Sequence, residues 1–152
     1  MNLSEKETTT INDLKTQEKS CIAKYTKYSR EAKDPVLRDL FSDIAKEEQT
    51  HYDSLDQVLN GTIPSCACND RKGMEYSPQA TYTSGDKSED KQHDCFLATD
   101  CIGTEKLVSG EYNSDVFNFG NSKIRKLLAD IQIEEQNHAE MLWKYKTVNG
   151  MA

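Results

Sequence analysis

Two stretches of the chain carry the same reactive pattern, Glu47-Glu48-Gln49-Thr50-His51 and Glu134-Glu135-Gln136-Asn137-His138. In each, a glutamate and a histidine stand three residues apart. On a helix that spacing stacks carboxylate and imidazole on one face about a turn apart, so both can reach the same cation. A further glutamate precedes each pattern in register: Glu18 lies 30 residues before Glu48, and Glu105 lies 30 before Glu135. All four glutamates fall on the apolar faces of their helices, with Glu48 and His51 between Ile44 and Leu55, and Glu135 and His138 between Ile131 and Leu142. Ionised groups in apolar surroundings need a partner, and four carboxylates in one core repel one another. Two divalent cations would remove both problems.

The six residues Glu18, Glu48, His51, Glu105, Glu135 and His138 therefore form a candidate ligand set. One Glu from each of two helices plus Glu-x-x-His from each of the other two is the inward arrangement of dinuclear carboxylate bundles. Mixed carboxylate and imidazole ligation suits iron or manganese and tolerates zinc.

The elements that position these residues come from a duplication. A shift of 87 residues aligns Asp13–Leu55 with Asp100–Leu142 without a gap. Of these 43 positions 13 are identical, concentrated around Glu-Glu-Gln-x-His. Such self-similarity marks a repeated structural unit. In the first unit Ile11, Leu14, Glu18, Cys21, Ile22, Tyr25 and Tyr28 recur at helical spacing, and the stripe breaks at Lys33-Asp34-Pro35. Asp34 is suited to cap a second helix and Pro35 to open it. That helix carries Leu37, Leu40, Ile44, Glu48, His51, Leu55 and Val58 until Asn60-Gly61. The second unit repeats the plan, with Gly120-Asn121-Ser122 as its break. The prediction is an all-α four-helix bundle of two antiparallel hairpins in one domain of residues 1–152. It comprises a helix pair over about 11–60, a long crossover over about 61–92, and a second pair over about 93–148. The crossover, rich in Pro, Gly, Ser and Thr, is given no strand.

Tyr25 and Tyr112 lie seven residues after Glu18 and Glu105, on the same face. They either fill the core or donate hydrogen bonds to the glutamates. Glu47 and Glu134 point about 100° away from their neighbours, toward solvent or a flank. Asp13 and Asp100 read as surface or capping residues, and His93 as a surface residue. The five cysteines (Cys21, Cys66, Cys68, Cys95, Cys101) are odd in number and lack the spacing of a secreted disulfide framework. Cys66-Ala-Cys68 is too short for a Cys-x-x-Cys motif, so all five read as ordinary thiols. A formal charge of −7 disfavours nucleic-acid backbones, and no apolar run approaches a membrane span or a signal-peptide core. Two divalent ions would bring the formal charge from −7 to −3, so part of the acidity reads as a place for metal.

The set Glu18, Glu48-x-x-His51, Glu105 and Glu135-x-x-His138 resembles the di-iron site of rubrerythrins and bacterioferritins, within the ferritin-like superfamily. Glu18-Lys19, Tyr25, Asp34-Pro35-Val36-Leu37-Arg38 and Glu47-Glu48 also resemble the spore-coat F family. The resemblance implies two iron ions, with Glu48 and Glu135 as bridges and Tyr25 close to the metal. Rubrerythrins carry an additional Glu where Val108 stands here, with Cys21 at the equivalent place of the first unit. The rubredoxin domain's two Cys-x-x-Cys pairs are absent, which implies a separate electron donor. Nothing after the fourth helix resembles the fifth helix of cage ferritins, so storage in a shell is not expected.

Two functions follow. One is a redox role, reducing peroxide or dioxygen with external electrons, as a peroxidase- or ferroxidase-type oxidoreductase. The other is a structural spore-coat role with the metal pair as a staple or absent. The expected setting is cytoplasmic, or a spore layer for the second. A homodimer is compatible with either, and no nucleic-acid or membrane partner is expected.

Overall fold

Ser4 starts the first helix. Its side chain accepts the Glu7 N–H while the Glu7 carboxylate accepts the Ser4 N–H at 2.8 Å, a reciprocal cap. A computed structural model of the chain describes residues 1–65 and 71–151, and in it α1 spans Glu5–Glu31. The Asp34 side chain accepts the Val36 N–H at 3.0 Å and α2 follows over Pro35–Leu59. It stops at Asn60 and Gly61, whose φ of +88° only glycine adopts cheaply. A one-turn helix, α3, occupies Lys72–Glu75 within the crossover. Ser88 caps α4 (Glu89–Asp115), which runs into a 3₁₀ turn at Val116–Asn118. Asn121 caps α5 (Ser122–Val148) through the Lys123 N–H. No strand occurs among the described residues.

These helices form the all-α, ferritin-like bundle that the duplication and the resemblance implied, with two differences. The outer helices begin earlier than apolar periodicity indicates, at Glu5 rather than near residue 11 and at Glu89 rather than near 93. Ser4 and Ser88 supply side-chain caps there, and capping extends a helix beyond its buried stripe. The crossover also contains α3, too short to show a period. The Cys66-Ala-Cys68 reading lies outside the described residues. No described helix is long and apolar enough to cross a membrane.

α1 packs on α2 and α4 on α5, and the two hairpins close around a core that includes Leu14, Ile44, Leu128 and Leu142, all fully buried. Each such side chain is worth about 1.5–3 kcal/mol of burial. Matching polar clamps hold the two hairpin turns. The buried Asp94 carboxylate accepts the N–H groups of Lys33 and Asp34, both at 2.8 Å, and Glu7 accepts the Gly120 N–H at 3.4 Å. Arg38 donates to the Ala32 carbonyl and Arg125 to the Phe119 carbonyl, the same contact 87 residues apart.

The crossover is tied to α5. Asn149 Oδ1 accepts the N–H groups of Thr81 and Tyr82 at 2.9 Å, and Lys144 donates to the Gly73 and Met74 carbonyls. Gly73 lies close to α5, where a Cβ would stand 2.5 Å from Glu140 Oε2 and displace that side chain.

Candidate metal centre

The four long helices each carry one inward glutamate, and the bundle brings all four together with both histidines. Glu18, Glu48 and Glu135 are 0% exposed, Glu105 1%, His51 1% and His138 0%. Two groupings emerge. Glu18, Glu48, His51 and Glu135 each offer one ligand atom, all within 4.8 Å of one another; Glu48, Glu105, Glu135 and His138 do the same. Glu48 and Glu135 belong to both.

Each imidazole turns Nδ1 into the cluster. His51 Nδ1 lies 3.2 Å from Glu48 Oε2 and 3.1 Å from Glu135 Oε1, and His138 Nδ1 lies 3.2 Å from Glu48 Oε1 and 3.5 Å from Glu105 Oε1. Each Nε2 points out of the cluster to a carboxylate of the opposite hairpin. His138 Nε2 meets Glu47 at 2.6 Å, and His51 Nε2 meets Glu134. The flank-facing glutamates thus orient the rings, a role that their 100° offset permits. Glu47 also contacts Lys72 of α3.

The tyrosines cross the bundle in the same way. Tyr25 donates its hydroxyl to Glu105 Oε1 at 2.5 Å, and Tyr112 donates to Glu18 Oε1. Both phenols are fully buried, so they fill the core and hydrogen-bond at once. The tyrosine–glutamate contacts and the outward histidine–glutamate contacts of one hairpin thus have their counterparts on the other.

The electrostatics show why metal-free acids are strained here. Burial, together with the charges of Glu48 and Glu135, pushes the Glu18 carboxyl well above the usual range. Burial and Glu105 push Glu135 up as well. Burial also works against ionised Glu48, but the adjoining His138 and His51 imidazoles outweigh it and hold that carboxyl below the usual range. Burial alone would lower both histidines; the surrounding glutamates reverse this and raise them well above 6.5. Burial and the adjoining carboxylates raise the Tyr25 and Tyr112 hydroxyls.

Several ligand-type atoms of the cluster are left without a hydrogen bond. Glu18 Oε2, Glu48 Oε1, Glu105 Oε2, both Glu135 oxygens and His138 Nδ1 are buried with no hydrogen-bond partner among the described residues. Buried polar atoms are rarely left this way. Six orphaned atoms, five of them carboxylate oxygens, converge from four helices, and carboxylate–imidazole donors of this kind fit iron, manganese or zinc. The site is compatible with a pair of metal ions.

Other residues singled out by sequence lie elsewhere. Asp100 is a half-buried partner of Lys24, at 3.0 Å, and of the Tyr28 hydroxyl, at 2.8 Å, rather than a cap. His93 is partly buried and does not join the cluster. Cys21, Cys95 and Cys101 are free thiols. Cys21 and Cys101 are buried, and desolvation pushes both thiols far up, reinforced for Cys21 by all four glutamates. Sequence reasoning missed Asp94. Its only signal is that the 87-residue shift places it on Glu7, another acid.

No curated protein and no solved structure matches the chain significantly. The family model described as rubrerythrin matches residues 14–146, a span that covers most of each of the four long helices and all six cluster residues. With that match over most of its length, and a buried glutamate–histidine cluster at its centre, the chain belongs to the rubrerythrin family.

Proposed function

We propose that Glu18, Glu48, His51, Glu105, Glu135 and His138 hold two iron ions, with Glu48 and Glu135 shared between them, and that the protein reduces peroxide or dioxygen with electrons from a separate donor. The observation that carries this reading is the convergence of orphaned buried ligand atoms in two groups that share two carboxylates. Manganese or zinc would satisfy the same donors.

Two ferrous ions held by these residues would supply two electrons, enough with two protons to reduce one peroxide to two waters. The protein's own part is positioning. Glu47 and Glu134 accept the Nε2–H groups of His138 and His51, leaving each Nδ1 lone pair free to face a cation. Tyr25 and Tyr112 fix one oxygen each of Glu105 and Glu18 and leave the second without a hydrogen bond. The apolar layers around Ile44, Leu55, Ile131 and Leu142 keep bulk water out, which strengthens every charge interaction inside.

The test is metal analysis of anaerobically purified protein, followed by near-ultraviolet absorbance after peroxide is added. Two irons per chain and a rapid absorbance rise are expected. Bound metal without a peroxide response would favour the structural, spore-coat-type role. Less than one metal per chain would defeat the redox reading and leave only a structural role without metal.

A further inference from the structure

The duplicated hairpins treat the outside of the site differently. Between α4 and α5 lies a cleft of about 340 Å³ whose floor is formed by Glu105 and Glu135, and whose walls include Ser109, Gly110, Asn113 and Gln132. Glu105 and Glu135 are buried, and three of their four carboxylate oxygens have no partner among the described residues. The cleft is therefore lined at its inner end by two buried acids of the cluster, most of whose oxygens lack a hydrogen bond. Apart from Lys106, its wall residues are small or carry uncharged hydrogen-bonding groups, and at ~30 Å³ per water it has room for several small molecules.

The 87-residue shift gives the corresponding positions on the first hairpin. There Ile22 replaces Ser109, Ala45 replaces Gln132, and Tyr52 replaces Ala139, another wall residue. Lys15 lies 4.8 Å from the centre of the Tyr52 ring and pairs with Asp56 at 2.5 Å, which ties α1 to α2 over that side.

We propose that the α4–α5 cleft is the doorway through which small hydrogen-bonding solutes of the hydroperoxide class reach the metal-binding carboxylates, the α1–α2 side being shut. This rests on the metal reading above. The doorway is a property of the second hairpin alone, so the ligand set keeps its twofold symmetry while access to it does not.

Plugging the cleft tests this. Gly110 faces open space, so Gly110→Leu adds bulk there without a clash, and Ser109→Ile copies the first hairpin. Gly103→Leu is the control; it also faces open space but lies outside the cleft walls. Each protein is loaded with cobalt(II), its metal content measured, and azide association followed by stopped-flow visible absorbance. Gly110→Leu and Ser109→Ile are expected to bind two cobalt ions per chain and the same azide at equilibrium, with association slowed about tenfold or more. Gly103→Leu is expected to match the unsubstituted chain. Unchanged association in both plugged variants, with two cobalt ions still bound, would overturn the doorway and leave the metal reading standing. Failure of the unsubstituted chain to bind cobalt would overturn both.

Discussion

The two hairpins share one set of inward contacts and differ outside it. Tyr25 to Glu105 is matched by Tyr112 to Glu18, and His51 to Glu134 by His138 to Glu47. At the α1–α4 seam the match fails. Lys24, Tyr28 and Asp100 form a partnered cluster on one side. The equivalent positions carry Glu111, Asp115 and Asp13, where burial and mutual repulsion raise the Glu111 and Asp115 carboxyls. Duplication has kept the contacts that orient the six cluster residues and let the periphery drift. The chemistry of the cluster constrains both copies, whereas a surface ion pair is worth little.

The strongest way to break the symmetric half of this comparison is to remove ligands. Combined Glu48→Ala and Glu135→Ala should abolish metal binding, since both residues serve both groups. Glu18→Ala and Glu105→Ala should each leave one ion, and unequal losses in metal analysis would show that the halves are not equivalent.

Removing metal from the unsubstituted chain comes next. Free metal at a hundredfold excess over its dissociation constant stabilises a one-site protein by about 2.7 kcal/mol, so the metal-free form should melt lower in a thermal scan. Its stability should also fall as pH rises from 6 to 9. His51 and His138 have folded values above 6.5, so their contribution is complete below 6.5 and is lost as pH climbs through the folded values. Raised Glu18 and Glu135 act in the same direction from 4.5 upward. Glu48, held below 4.5, loses its contribution only on acidification and is level in this range. Metal binding needs neutral imidazoles and ionised carboxylates, so the loaded protein should not weaken over the same interval. Circular dichroism melts of both forms check this.

Tyr25→Phe and Tyr112→Phe should each destabilise by about 1–3 kcal/mol, the worth of a buried hydrogen bond to a carboxylate. Near-equal values from denaturant melts would sharpen the twofold relation. The smallest effect tests the divergent seam. Glu111→Lys places a cation opposite Asp13, as Lys24 stands opposite Asp100, and should stabilise by no more than about 1 kcal/mol at low salt.

Much of the bundle was legible because buried stripes and caps are local signals. Asp34-Pro35 and Gly120-Asn121 mark both hairpin turns, and the repeated Glu-x-x-His names the inward faces. The helix starts were less legible, since Ser4 and Ser88 cap segments with little buried stripe. Glu47 and Glu134 could be placed on a flank, but which histidine each meets depends on how α2 and α5 pack, and no spacing encodes that. Asp94 was hidden for the same reason: it receives main-chain N–H groups from a turn about 60 residues away in sequence, as its contacts at 61 and 60 residues' separation show. The cleft arises from what Ser109, Gly110 and Ala139 lack. Small residues on a helix look alike whether they admit a solute or a neighbouring helix.

The most direct test of the central claim, that duplicated hairpins hold two metal ions through one shared set of six residues, is anomalous diffraction from crystals of the iron- or manganese-loaded protein. Two anomalous peaks are predicted, one among Glu18, Glu48, His51 and Glu135 and one among Glu48, Glu105, Glu135 and His138. A loaded crystal with no peak inside the bundle, or with its metal held only at surface acids, would contradict it.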